Sequence, residues 1–281
     1  MNCKLIAFDL DGTLFDDMKN ISADDLTALR RAGEKGIFTV PASGRLFPFI
    51  PEQLKELPGA RYYITANGNG VYDSVENRSL YSADVALGDA LSLFDYLDTI
   101  DTIYDVYTDD RGYINKTDIE RADEFFTDPV LNHMLHTYIL RIRDGVDDLR
   151  AFVTERGKPL QKVQMYFRSE ALRQKMLREL PGMFPSLVFS SSLGNNIEVN
   201  SREATKGKAL SALCKSMGIP ESDAVAFGDG LNDLDMLQVA GTGVAMPNGE
   251  ESVRAAADIT AAADNNHSGI AETLRRLGIV E

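Results

Sequence analysis

Two short, almost wholly apolar runs, Lys4–Leu10 (KLIAFDL) and Ala224–Gly228 (AVAFG), stand near opposite ends of the 281-residue chain, and each runs into glycine and aspartate. An apolar run this short, closed by turn residues, reads as a strand covered on both faces, which is the environment of a parallel sheet. Phe38–Ala42, Tyr62–Ala66, Thr242–Ala245 and Asp258–Ile259 have a similar character. Amphipathic stretches lie between them. Ser22–Lys35 opens with Ser22 and Asp25 in the outline of a capping box, and Lys206–Met217 sets Leu210, Leu213, Cys214 and Met217 at helical spacing. This alternation predicts an α/β fold, a doubly wound parallel sheet with helices on both faces. Pro41 cannot donate a ladder hydrogen bond and is expected at a strand end.

The texture changes at about Ser82. Ser82–Asp110 carries eight Asp and no Lys, Arg or His. Short β-like segments (Ile103–Tyr107, Val163–Phe167, Leu187–Ser190) then alternate with helical ones (Val146–Glu155, Glu170–Leu180). Residues 82–190 are therefore expected to form an α+β unit inserted into a core built from 1–81 and 191–281. The acidic run reads as a solvated helix face and strand edge. Net charge is −14 and 44% of residues are apolar, enough for real cores and a poor match to a chain that coats nucleic acid. No apolar run approaches the roughly 20 residues of a membrane helix, and Met1 leads directly into the first strand, so neither a span nor a secretory leader is expected. Cys3 and Cys214 are the only cysteines, and they read as buried free thiols of a cytoplasmic protein.

In open parallel sheets, ligands bind beyond the carboxyl ends of the strands. The polar groups that follow the expected strands are Asp9, Asp11, Gly12 and Thr13, then Ser43, Gly44 and Arg45, then Asn67 and Gly68, and finally Asp229, Asn232 and Asp233. Lys206 opens the helix that precedes the Ala224 strand. Several carboxylates in one crevice raise one another's pKa unless a cation joins them. Oxygen ligands with no His or Cys beside them select a hard ion, Mg²⁺ in preference to zinc. Lys206, the Ser43 hydroxyl and the Gly12 and Gly44 backbone N–H groups suit a dianion, and a phosphoryl group is the expected occupant. A carboxylate can attack such a group and form an aspartyl-phosphate.

Asp9-Leu10-Asp11-Gly12-Thr13 resembles the first motif of the haloacid dehalogenase-like phosphohydrolases. Ser43-Gly44-Arg45 resembles the second motif, Lys206-Gly207 the third, and Gly228-Asp229-Gly230-Leu231-Asn232-Asp233 the fourth. An insert between the second and third motifs, opening after Asn67-Gly68, is similar to the class IIB cap of the Cof-type branch. The resemblance implies a Rossmann-like core, a cap that confers substrate specificity, and a cytoplasmic phosphatase acting on a small phosphorylated metabolite, most simply a sugar phosphate. It makes Asp9 the nucleophile and a metal ligand. Asp11 becomes the general acid and base and a backbone ligand, Asp229 a further ligand, and Asp233 a support for the metal. Leu10, Ser43, Gly44, Lys206 and Asn232 would hold the phosphate. Ser43 stands where Thr is frequent, which keeps the hydroxyl, and Pro41 upstream is unusual.

Two residues are left between roles: Arg45 either touches substrate or braces core against cap, and Asn67 touches substrate or only makes its turn. His133, His136 and His267 read as structural, and Tyr104, Tyr107 and Tyr113 as sheet packing. The same scaffold also serves a phosphomutase or phosphotransferase, in which a second hydroxyl replaces water. A non-catalytic metabolite-binding protein would be expected to have lost Asp9, Asp11 or Asp229, and all are present. Neither nucleic acid nor membrane is an expected partner, and the sequence leaves the oligomeric state open.

Overall fold

In a computed structural model, residues 2–191 and 193–281 are described. Strands β1 (Leu5–Phe8), β2 (Phe38–Pro41), β3 (Tyr62–Thr65), β4 (Gly70–Asp73) and β5 (Arg78–Ser82) come first. Next are β6 (Ile103–Thr108), β7 (Arg111–Asn115), β8 (Arg143–Val146), β9 (Lys162–Tyr166), β10 (Leu187–Ser190) and β11 (Asn196–Ser201). Strands β12 (Ala224–Gly228), β13 (Thr242–Ala245) and β14 (Ile259–Thr260) end the series.

The chain divides into two compact units, residues 1–82 with 204–281, and residues 83–203. In the first, a parallel sheet runs in the order β14-β13-β12-β1-β2. Alternate residues of β1 enter opposite layers, as the two-residue period of a strand requires. Ile6 and Phe8 pack with Leu29, Phe227, Ile270 and Leu274 beneath the helices Ala23–Glu34 and Gly269–Arg276. Leu5 and Ala7 pack with Leu210, Leu213, Ala226 and Leu237 beneath Lys206–Met217 and Leu234–Val239. A sheet covered on both faces explains why the sequence shows continuous apolar runs here. Ser22 caps its helix by accepting the Asp25 N–H at 2.9 Å. Pro41 is the last residue of β2, on the outer strand of this sheet, where its missing donor is harmless.

Beyond β2, an antiparallel sheet β3-β4-β5 is joined through an Ala42–Ile64 bridge. Strands β4 and β5 went unread because β5 is largely exposed and neither carries an apolar run.

The second unit has a six-stranded sheet, β10-β11-β9-β6-β7-β8, antiparallel except where β7 meets β8. The sequence reading returned the chain to the core at residue 191, and this needs correction. Strand β11 pairs with both β10 and β9, so the inserted unit runs on to Glu203. The acidic run is solvated at Asp95, Asp98, Asp101 and Asp109, as the sequence suggests, and departs from that reading at one residue. Asp105 is wholly buried against Arg143, Asp101 pairs with Arg168 at 2.7 Å, Asp95 and Asp98 pair with Arg150, and Asp109 pairs with Arg156 and Lys158. Cations supplied later in the sequence neutralise much of it. Tyr104, Tyr107 and Tyr113 are buried in the sheet. Cys214 is buried as a free thiol, whereas Cys3 is only half-buried. No helix among the described residues is long and apolar enough to cross a membrane.

Candidate active site

Strands β1 and β12 run parallel with Phe8 opposite Phe227, so Asp9 and Asp229 leave the sheet at its carboxyl edge as neighbours. The Asp9 N–H donates to the Phe227 carbonyl at 3.0 Å, which fixes the backbone from which its side chain springs. Lys206 sits at the first turn of its helix and is wholly buried, unusual for an ammonium without partners. Its partners are present: Nζ donates to Asp9 Oδ1 and to Asp233 Oδ1, each at 2.5 Å. Asp233 Oδ2 accepts the N–H groups of Asp229 and Gly230, each at 3.0 Å. Asp233 thus ties the lysine to the loop that carries Asp229. Asp229 Oδ1 accepts the Thr13 hydroxyl at 2.8 Å. Gly12 has φ +85°, and a Cβ there would stand 2.4 Å from Asp229 Oδ2, so only glycine lets the two motifs close on each other.

The crowding has an electrostatic consequence. Burial pushes Asp9 up to about 7; Lys206 opposes that rise, and Asp233 and Asp229 add to it. Burial likewise raises Asp229 to about 6, against the Thr13 hydrogen bond and with help from Asp233. Burial also works against the charge of Lys206, but Asp233 and Asp9 outweigh it and hold the ammonium firmly protonated. Asp9, Asp229 and Asp233 each offer a carboxylate oxygen, all within 4.8 Å of one another. Among the described residues they form the one such acidic or metal-ligating cluster. Two raised carboxyls, Asp9 and Asp229, facing each other and Asp233 fit a divalent cation, and an all-oxygen set favours Mg²⁺ over softer metals. The structure thus brings Asp9, Asp229 and Asp233 together. It turns the Asp11 carboxylate elsewhere, leaving only that residue's backbone carbonyl to be considered as a ligand.

Around the cluster lie donors with no internal acceptor. The N–H groups of Leu10 and Gly44 donate to nothing among the described residues. Ser43 Oγ accepts the Arg45 N–H at 3.2 Å, which leaves its own proton free to donate. Asn232 Nδ2 donates to Asn67 Oδ1 at 3.3 Å, so the Asn67-Gly68 turn after β3 and the fourth motif touch through two side-chain amides.

The Asp11 carboxylate is half-exposed between two cations, Lys19 Nζ at 2.8 Å and Arg45 Nη2 at 3.3 Å. Burial works to raise its pKa, but Lys19 and Arg45 outweigh that and hold it below the usual carboxylate value. The sequence reading missed Lys19. Asp16 accepts the N–H groups of Met18 and Asn20 in a tight loop closed by a Phe15–Ile21 bridge, and Lys19 sits there with φ +63°. An Asp-x-x-Lys-Asn turn after the first motif was its only trace. His136 pairs with Asp123 and His267 with Asp264, and neither joins the acidic cluster.

A model of the haloacid dehalogenase-like hydrolase family matches residues 6–274. The phosphatase YwpJ of Bacillus subtilis is 30% identical over 98% of this chain and 99% of its own. The 5-amino-6-(5-phospho-D-ribitylamino)uracil phosphatase YcsE of the same organism is 29% identical over 98% and 96%. Among solved structures, TM0651 from Thermotoga maritima superposes with a TM-score of 0.82 at 25% identity, covering 98% of this chain and 97% of that one. The four motifs stand at the carboxyl edge of the core sheet, with an α/β unit inserted between the second and third, and by these likenesses the chain belongs to the haloacid dehalogenase-like hydrolases of the Cof type.

Proposed function

We propose that the protein is a Mg²⁺-dependent phosphohydrolase that removes phosphate from a small phosphorylated metabolite of the sugar-phosphate class through a phospho-Asp9 intermediate. One observation carries this reading: a buried carboxylate, Asp9, is held 2.5 Å from a buried ammonium, Lys206, beside the unspent N–H donors of Leu10 and Gly44. That is a nucleophile next to an anion cradle. The phosphorylated ribityl chain in the name of the relative YcsE supports a polyol or sugar ester as the leaving group. The inserted unit, residues 83–203, is assigned selectivity among leaving groups.

In the first half of the cycle, an Asp9 oxygen attacks phosphorus and the bond to the leaving oxygen breaks, with Asp11 delivering a proton to that oxygen. In the second half, Asp11 takes a proton from water, which attacks phospho-Asp9; inorganic phosphate leaves and Asp9 is restored. Paired with Lys19 and Arg45, the resting Asp11 is the base form. A phosphate dianion arriving beside it favours its protonation, as the acid half requires. Ser43, Gly44, Lys206, Asn232 and the Leu10 backbone hold the phosphoryl oxygens. Arg45 lies within reach of the leaving group once it releases Asp11. Asp9, Asp229 and the Asp11 carbonyl would hold Mg²⁺ with Asp233 behind them, and the ion would supply positive charge against the carboxylates and the phosphate.

The test is phosphate release from a panel of sugar, nucleotide, flavin and pyridoxal phosphates with and without Mg²⁺. Stoichiometric inorganic phosphate from a sugar phosphate is the expected result. A phosphorylated second product in its place identifies a mutase or transferase, and no Mg²⁺-dependent turnover of any ester rejects the reading.

The raised carboxyls make metal binding pH-dependent. With Asp9 near 7 and Asp229 near 6, both carry protons at pH 6 that the ion must displace. Calorimetric titration with Mg²⁺ in buffers of different ionisation heat should show roughly one and a half protons released per ion at pH 6, most of them from Asp9 and the rest from a half-protonated Asp229, and almost none at pH 8.5. Apparent affinity should climb between these values and then level off. A pH-independent affinity would place the ion elsewhere.

A further inference from the structure

Three successive residues, Ala66, Asn67 and Gly68, have left-handed backbone, with φ of +48°, +59° and +91°. A left-handed stretch containing a buried alanine is strained, and surrounding contacts must hold it. Here they are specific. The Ala66 N–H donates to the Arg45 carbonyl and the Asn67 N–H to the Ser43 carbonyl, each at 3.0 Å, which zips this turn onto the second motif. Gly68 lies so close to the third motif that a Cβ on it would stand 2.1 Å from the Thr205 carbonyl carbon. The Asn67 side chain lies over Gly44, where a Cβ would meet its Oδ1 at 3.0 Å and its Nδ2 at 3.3 Å. The turn therefore fastens together the second, third and fourth motifs.

The amide pairing decides what Asn67 offers. Its Oδ1 accepts from Asn232 Nδ2 at 3.3 Å, and its Nδ2 has no acceptor among the described residues. Both Nδ2 hydrogens are therefore available, on a half-buried side chain between the Gly44 backbone and Asn232. A neutral amide that spends its acceptor inside the protein and keeps its donors suits an anion and not a sugar hydroxyl, which needs acceptors as much as donors. We propose that Asn67 is a phosphate-binding residue: Asn67 Nδ2 donates to a phosphoryl oxygen of the substrate, with Asn232 holding the amide in the orientation that exposes that donor. The assignment rests on the reading of Ser43, Gly44, Lys206 and Asn232 as the phosphate cradle.

Glycine favours the backbone that Asn67 adopts, so Asn67→Gly removes the amide and keeps the turn. The probe is inorganic phosphate as a competitive inhibitor, with Mg²⁺ in the buffer. A hydrogen bond to a charged acceptor accounts for about a tenfold to a hundredfold change in affinity. Asn67→Gly should weaken phosphate by a factor in that range, keep the wild-type melting temperature, and lower kcat/KM equally for every ester turned over. Asn67→Asp retains an acceptor for Asn232 but presents a carboxylate to the anion, and it should weaken phosphate at least as much. Wild-type phosphate affinity in either variant overturns the assignment, as does a loss that varies from ester to ester, which marks a leaving-group contact. Ser43→Ala separates the two readings. If it too leaves phosphate affinity unchanged, the cradle itself is misplaced; if it weakens phosphate while Asn67→Gly does not, only the Asn67 role falls.

Discussion

Asp9→Asn should abolish phosphate release while leaving the protein folded. The substitution keeps the shape of the side chain and removes the nucleophilic oxygen, so the loss in kcat should be about a thousandfold or more, and no phosphoenzyme should accumulate. The stability change separates loss of the nucleophile from misfolding. Asp9 has a folded-state pKa near 7, above its ordinary 3.8, so ionising it costs stability as pH rises through that interval. The amide that replaces it does not ionise. In metal-free protein the variant should therefore match the wild type near pH 4 and become the more stable of the two by pH 8. Added Mg²⁺ should reverse that order, because the wild type gains binding energy that the variant largely loses. A variant that turned over substrate at even a tenth of the wild-type rate would rule out Asp9 as the nucleophile.

The core and its site could be read from the sequence because their determinants are local. A strand buried on both faces must be apolar along its length, and the residues that follow it must be polar, so Lys4–Leu10 and Ala224–Gly228 announce strand and site together. The inserted unit hid its edges for the opposite reason. Strand β11 alternates Ile197 and Val199, packed under helices, with Asn196, Glu198 and Asn200, which are polar and buried all the same. Its polar half resembled a loop, and the boundary was drawn too early. Strand β8 opens on Arg143 and contains a glycine, which reads as a turn unless its partners are known. Lys19 and the Asn67–Asn232 pair escaped because they depend on contacts between distant segments, which no spacing encodes. The acidic run misled through its charge count. Its partners lie later in the sequence, so a local tally saw eight uncompensated Asp where the fold supplies Arg143, Arg150, Arg156, Lys158 and Arg168.

That buried polar ladder gives the largest expected stability effect. Glu198, Gln164 and Asp105 stand opposite one another on β11, β9 and β6, and all are buried. Arg143 Nε donates to Asp105 Oδ2 at 3.0 Å and Nη2 to Gln164 Oε1 at 2.5 Å, while its guanidinium stacks 4.8 Å above the Tyr107 ring. Lys162 closes the other end on Glu198 at 2.7 Å. Even with this pairing, burial dominates and holds Asp105 above the usual carboxylate pKa. Arg143→Met fills similar volume but leaves Asp105 without its cation, and should cost about 3–5 kcal/mol at pH 8. The cost should shrink toward pH 4, close to the ordinary carboxylate value of 3.8, where protonating the raised Asp105 in the folded variant costs little and leaves no charge to strand. Adding Asp105→Asn removes the stranded charge, so the double variant should recover most of the loss, and urea unfolding of the three proteins at both pH values measures it. A single variant no less stable than the double at pH 8 would mean that Asp105 does not depend on Arg143. The ladder would then be held by its Gln164 and Tyr166 hydrogen bonds and the Lys162–Glu198 pair, and Arg143 would not be the counter-charge that lets Asp105 be buried.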